Sequence, residues 1–273
     1  MTHGSLFSGI GGFDLGFERI GIQTVWQVEI DEFCQKVLAK HFPQAKRFRD
    51  IKQVGVQNLE KVDIITGGFP CSDISVAGKK RGLAGEKSGL WFEMFRVCSE
   101  LRPRYIVIEN VANLVRLGLD RVLANLASIG YDAEWTNILA CDIGACHRRK
   151  RIWIVAYPNC QWKLQSGGIA KNERERIGNS SENVSYSGND RIVERKRELS
   201  EDKQISGGGF NQRIREAFDE GREWWGTEPG VGRLADEVPD RVAKLRALGN
   251  AVVPQIPEII GKLLLEHHLK QEL

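Results

Sequence analysis

The run Val62-Asp63-Ile64-Ile65-Thr66, followed by Gly67-Gly68-Phe69-Pro70-Cys71-Ser72-Asp73-Ile74-Ser75, decides how this chain is read. Its first part is rich in β-branched residues and its second in turn residues, so the stretch predicts a buried strand whose C-terminal end opens into a loop. Such loops are where open α/β sheets keep their sites. Pro70 fixes the backbone just before Cys71 and the two glycines are expected to allow a tight turn, holding one thiol at the rim of a crevice. A cysteine in a turn is more often buried and inert, because a reactive thiol needs an activating environment. The rest of the chain supplies candidates for one.

A length of 273 residues suits one large domain with a smaller appendage. Lys and Arg number 39 against 36 Asp and Glu, a net charge of +3 that allows local basic patches without itself arguing for nucleic acid. The six cysteines (Cys34, Cys71, Cys98, Cys141, Cys146, Cys160) have neither paired nor metal-ligand spacing, so a reduced, cytoplasmic and metal-free protein is expected. No apolar run approaches the ~20 residues that cross a bilayer, and nothing signal-like precedes the first strand.

Before the central loop, His3 to Phe7 predicts a strand, Ser8-Gly9-Ile10-Gly11-Gly12 a glycine turn and Phe13 to Ile20 a helix. This is either a nucleotide-cofactor opening or an ordinary strand-to-helix turn. Asp14 stands where a dinucleotide fingerprint wants glycine, which favours a cofactor without a pyrophosphate. Val25 to Val28 predicts a second strand ending at Glu29, where an acid conventionally grips ribose hydroxyls. A helix over 31–41 leads to a strand over 45–48 that ends at Asp50-Ile51, again an acid beside an apolar residue.

Beyond the loop, Ser75 to Ser88 carries Gly78, Lys79, Lys80, Arg81, Gly82, Gly85 and Lys87, a basic flap suited to clamp phosphate or simply to face water. A helix over 90–101 precedes the buried strand Tyr105 to Ile108, which ends in Glu109-Asn110-Val111. Helix is expected over 114–129, and an antiparallel pair over 133–140 and 151–156 flanks the basic run Arg148 to Arg151. From 159 to 209 Gly, Ser, Asn and charged residues dominate, which suits a small irregular domain or a partly disordered lobe. Order returns at Trp224-Trp225, and Ala247 to Pro254 reads as a turn into a final helix over 256–269 that should pack back on the first half.

In this order the stretches resemble the DNA cytosine-5 methyltransferases, over Gly4 to Ala156 and Gly230 to Leu265. Ser-Leu-Phe-Ser-Gly-Ile-Gly-Gly-Phe (5–13) is similar to that family's cofactor motif, Gly-Phe-Pro-Cys-Ser (68–72) to its nucleophile loop and Glu-Asn-Val (109–111) to its acid. His147 to Arg151 resembles its Gln-x-Arg-x-Arg motif, and Leu-Gly-Asn-Ala-Val-Val-Pro (248–254) its closing motif. Ser5 replaces the usual acid after the first strand, and His147 replaces the glutamine.

The resemblance implies an α/β, Rossmann-like S-adenosylmethionine-dependent methyltransferase domain over 1–157, a small irregular target-recognition region over 158–229, and a segment over 230–273 that packs back on the catalytic domain. It implies S-adenosylmethionine over Phe7, Gly9, Ile10 and Gly11, its ribose on Glu29 and its adenine on Asp50 and Ile51. Pro70, Leu90, Asn250 and Val252 would complete that wall. Cys71 would be the nucleophile, Glu109 the acid on the cytosine edge and Arg149 a support for the pyrimidine, with Arg151 as the motif's second arginine. S-adenosylhomocysteine is the implied product, no metal is implied, and double-stranded DNA is the implied partner of a monomer. A cognate restriction endonuclease would be a functional, not physical, partner. A tRNA cytosine methyltransferase or a silent DNA-binding relative are the alternatives.

Overall fold

The computed structural model describes residues 1–70, 89–145, 147–159 and 240–271. Cys71, Cys146, Cys160, the basic flap and the segment over 160–239, with the expectations attached to them, lie outside this set. Seven strands form one sheet among the described residues: β1 (Thr2–Leu6), β2 (Gln23–Val28), β3 (Lys46–Phe48), β4 (Ile64–Gly67), β5 (Tyr105–Val111), β6 (Tyr131–Ile138) and β7 (Arg151–Pro158). Their order is β3-β2-β1-β4-β5-β7-β6. The first five run parallel, and β7 is antiparallel to both of its neighbours. The chain steps outward from β1 to β3, then returns to the other side of β1 for β4. Strand order therefore reverses between β1 and β4, the place where an open α/β sheet leaves a crevice beyond its carboxyl ends.

The continuous apolar character of β4 and β5 follows from burial on both faces. Ile64, Ile65, Ile106, Val107 and Ile108 are fully buried, each burial contributing about 1.5–3 kcal/mol. Seven helices cover the sheet among the described residues: α1 (Gly12–Glu18), α2 (Glu32–His41), α3 (Leu90–Leu101), α4 (Leu114–Leu117), α5 (Leu119–Ser128), α6 (Arg241–Asn250) and α7 (Gln255–Gln271). On one face α3 buries Trp91, Met94, Val97, Cys98 and Leu101, at helical spacing, in a core shared with Leu119, Val122 and Leu126 of α5. On the other, Phe13 and Phe17 of α1 pack with Ile256, Ile260 and Leu264 of α7. Two glycines permit this approach. A Cβ on Gly16 would stand 2.3 Å from the carbonyl oxygen of Pro254, and one on Gly261 would stand 2.4 Å from Ile20 Cδ1.

Three expectations are corrected. The helix expected over 114–129 is two helices broken at Gly118, whose N–H closes the first turn on the carbonyl of Leu114 at 3.0 Å. Residues 247–250 continue α6 instead of forming a turn, which is confined to the next few residues. The large apolar residues of α6, Val242, Leu245 and Leu248, are exposed and only Ala247 is buried, so no buried stripe marked the helix. Gly67 and Gly68 are absent from the positive-φ glycines of the described chain. They serve close approach instead: a Cβ would lie 2.8 Å from Met94 Sδ at Gly67 and 3.0 Å from Glu109 Oε2 at Gly68. No helix among the described residues is long and apolar enough to cross a membrane.

Candidate active site

The carboxyl ends of β1, β2, β4 and β5 meet at a cavity of about 550 Å³, within the usual ~300–1,000 Å³ of small-molecule sites. Its walls include Phe7, Gly9, Glu29, Asp50, Ile51, Pro70, Leu90, Glu109, Arg149, Arg151 and Asn250, which brings eleven sequence candidates together. Ile10, Gly11 and Val252 lie outside that lining. The Val252 carbonyl stands 2.5 Å from where Gly12 would carry a Cβ, so Val252 packs against the start of α1.

One end is built by the turn between β1 and α1. Ser8 N–H donates to the Val28 carbonyl at 3.1 Å and Gly11 N–H to the Ser8 carbonyl at 2.9 Å, folding the turn over the end of β2. Gly9 (φ 56°) and Gly11 (φ 86°) adopt left-handed backbone, and a Cβ on Gly9 would meet nothing within 4 Å, leaving room for a ligand against the main chain. Phe7 also has positive φ, 53°, a strained position for a side chain of its size. Glu29 is locked in place: Oε2 accepts from Gly9 N–H and Oε1 from Asp31 N–H, both at 2.8 Å. Each oxygen keeps a lone pair for a hydroxyl, as ribose recognition requires. Asp50 Oδ1 accepts from Lys52 N–H at 2.9 Å and caps the short 3-10 turn Ile51–Gln53. An acceptor pair, an apolar ring-sized wall and a bare glycine turn fit S-adenosylmethionine.

The other end carries Glu109, its side chain only 12% exposed, with Arg151 Nε at 3.0 Å from Oε1. Burial pushes the Glu109 carboxyl above the ordinary range, opposed by Arg151 and then Arg149. The resemblance implies site roles for both Arg149 and Arg151; the Arg149 guanidinium donates to the carbonyls of Gly249 at 2.6 Å and Ala251 at 2.8 Å. Arg149, at φ 25°, thus ties the basic run to the end of α6, while Arg151 contacts the acid.

Two contributors escaped sequence reading. Asn110, 2% exposed, donates from Nδ2 to the Phe69 carbonyl at 3.1 Å and so fixes the loop just before Pro70. Its place in Glu-Asn-Val was the available signal. Arg246 of α6 pairs with Asp31, the N-cap of α2, at the cavity wall, a contact across 215 residues that no local pattern announces.

The family model for C-5 cytosine-specific DNA methylase matches residues 1–246. The type II methyltransferase M.Bsp6I of Bacillus sp. (strain RFL6) is 37% identical over 166 residues, covering 58% of this chain and 52% of that protein. The type II methyltransferase M1.ScrFI of Lactococcus lactis subsp. cremoris is 30% identical over 233 residues, covering 81% of this chain and 59% of that protein. The chain thus spans about half the length of the curated relatives it matches. The solved structure of the Entamoeba histolytica methyltransferase EhMeth shares the fold, with a TM-score of 0.61 at 16% identity over 98% of each chain. By sequence, this chain belongs to the C-5 cytosine-specific DNA methylase family.

Proposed function

We propose that this chain transfers a methyl group from S-adenosylmethionine to C5 of a cytosine swung out of a specific duplex DNA sequence, through a covalent bond between Cys71 and C6. The observation that carries the reading is the single cavity with Glu29 and the Asp50–Ile51 wall at one end and the Glu109–Arg151 pair at the other. Cofactor and base can then share one cavity. The base must leave the stack because its C5 and C6 are out of reach inside a duplex.

Glu29 takes the ribose hydroxyls and Asp50 and Ile51 the adenine. When bound, S-adenosylmethionine supplies an electrophilic methyl group on a sulfonium. Sγ of Cys71 adds to C6, and the displaced electron pair is accepted at N3 with the proton that Glu109 holds. C5 is then electron-rich enough to form the new carbon–carbon bond. Loss of the C5 proton, departure of Sγ and return of the N3 proton restore the aromatic ring. Burial raises the Glu109 carboxyl, the direction that favours its holding that proton. Residues 158–229 are the proposed reader of the DNA sequence.

The test is a duplex containing 5-fluorocytosine, whose fluorine blocks loss of the C5 substituent. Wild type with S-adenosylmethionine should give an adduct that survives sodium dodecyl sulfate, and Cys71→Ser none. Turnover by Cys71→Ser would remove the covalent step, and labelling of tRNA in place of duplex DNA would reassign the substrate.

A further inference from the structure

The adenine-side wall of the cavity is a three-residue 3-10 turn capped by Asp50 and by Asn58, whose Nδ2 donates to the Gln53 carbonyl at 2.9 Å, and a side chain outside the cavity ties it to α3. Arg96 of α3 donates from Nη2 to the carbonyls of Ile51 and Val54, both at 2.9 Å. Its Nε donates to Glu93 Oε2 and its Nη1 to Glu100 Oε1, again at 2.9 Å each. Glu93 and Glu100 sit at i−3 and i+4 on α3, so they fix the plane of the guanidinium. Glu100 also accepts from Val56 N–H at 3.1 Å, extending the attachment along the same segment. Ile51 is 4% exposed and Val54 2%; without Arg96 the Ile51 carbonyl would keep the Val54 N–H at 3.4 Å, while the Val54 carbonyl would lose the Arg96 bond, which is costly at a buried site.

We propose that Arg96 is a positioning residue for the cofactor: it fixes the Asp50–Ile51 wall to α3 and thereby sets cofactor affinity without touching the ligand. Leu90, the first residue of α3, lines the same cavity as Ile51, so one guanidinium registers two of its walls. The fork geometry matters, because a single Nη nitrogen bridges two carbonyls while the remaining nitrogens engage two carboxylates. Without it the wall samples positions that do not bind. If the competent fraction falls to about one tenth, the apparent Kd rises roughly tenfold. The inference rests on the cofactor reading above and deepens it.

The experiment is calorimetric titration of the full chain with S-adenosylhomocysteine, comparing wild type, Arg96→Met, Arg96→Lys and Glu93→Gln, each with a thermal melt. Arg96→Met should weaken binding roughly tenfold, and Arg96→Lys should fall between it and wild type, because an ammonium cannot serve both carbonyls and both carboxylates. Glu93→Gln keeps the two bonds to the wall, and its amide oxygen can still accept from Arg96 Nε and hold the guanidinium plane, so it should stay within about twofold of wild type. Binding by Arg96→Met within twofold of wild type would overturn the inference. So would Glu93→Gln weakening binding as much as Arg96→Met, since the cause would then be the integrity of α3. Wild type that fails to bind S-adenosylhomocysteine would sink the cofactor reading itself, a result distinguishable from either.

Discussion

Arg151 Nε stands 3.0 Å from Glu109 Oε1 because the two residues lie diagonally across the antiparallel pair β5–β7. Arg151 is opposite Val111, and Glu109 is two residues before Val111 on the same face. The sheet register therefore delivers a cation to a buried acid, lowering a carboxyl that burial alone would raise further. In the proposed mechanism the pair sets the alkaline side of the reaction. Glu109→Gln should lose ~10²–10⁴-fold in rate, the usual worth of a positioned acid, with S-adenosylhomocysteine affinity unchanged. Arg151→Met removes the cation, so Glu109 holds its proton to higher pH. The alkaline limb of its residual kcat/KM should move upward, and a limb that stays fixed or moves down would show that Glu109 does not set it.

Two buried titratable groups should give opposite pH trends in stability. His3 bridges the hydroxyls of Thr24 (3.2 Å) and Thr66 (2.8 Å) across β2, β1 and β4, and burial lowers it from 6.5 to about 3. The unfolded chain binds the extra proton first, so stability falls as pH drops below 6.5. Asp14 accepts from Ser5 Oγ at 3.2 Å and Gln27 Nε2 at 2.9 Å, and burial raises it from 3.8 to about 6. Here the folded chain binds the proton first, so stability is gained as pH falls from about 6 towards 3.8. Asp14→Asn removes the compensating trend. Urea denaturation between neutral and mildly acidic pH should show the variant losing more stability than wild type over the same interval, and an equal or smaller loss would refute the assignment.

Glycines at the two ends of α1's neighbourhood should separate fold from ligand. Gly16→Ala places a methyl 2.3 Å from the Pro254 carbonyl and should cost about 1–3 kcal/mol, the range for overpacking, read as a lower melting temperature. Gly9→Ala meets no neighbour but holds alanine at φ 56°, about 1–2 kcal/mol of backbone strain. Its methyl lies at the cavity wall, so it should also weaken S-adenosylhomocysteine binding, whereas Gly16→Ala that still folds should not. Equal loss of affinity in both would deny the Gly9 turn a part in binding.

Strands β4 and β5 were legible because burial on both faces writes an uninterrupted apolar run, which Glu109 punctuates; Glu29 follows the mostly buried β2, and Asp50 the short, partly exposed β3. The glycine turn was legible from composition, although only the structure shows that Gly67 and Gly68 serve contact with Met94 and Glu109. Helix α6 was not legible, since its large apolar residues face outward and Gly249-Asn250 imitates a turn. Nor were Arg96 on the 51–54 carbonyls and Arg246 on Asp31, because side chains that join distant segments leave no periodicity. That Arg151 lies beside Glu109 follows from the register of β7 against β5, which two basic residues two apart cannot encode.

The motifs that resemble the family stop at Ala156 and resume at Gly230, and the stretch over 158–222 between them is rich in polar residues. Base identity is read at groove edges by side chains such as Arg, Asn and Gln, whereas phosphate contacts set position alone. Gln161, Asn189, Arg191, Arg195, Gln212 and Arg213 supply such groups, all outside the described residues. A solvated linker of the same composition would supply them too, without reading anything. Replacing 158–222 with the corresponding segment of a relative that methylates a different sequence distinguishes the two, by mapping 5-methylcytosine across the genome of a methylation-free host. Methylation should move to the donor's sequence. An active chimera that keeps the original sequence would place recognition elsewhere, with the basic residues Arg148 and Lys79 as the next to mutate.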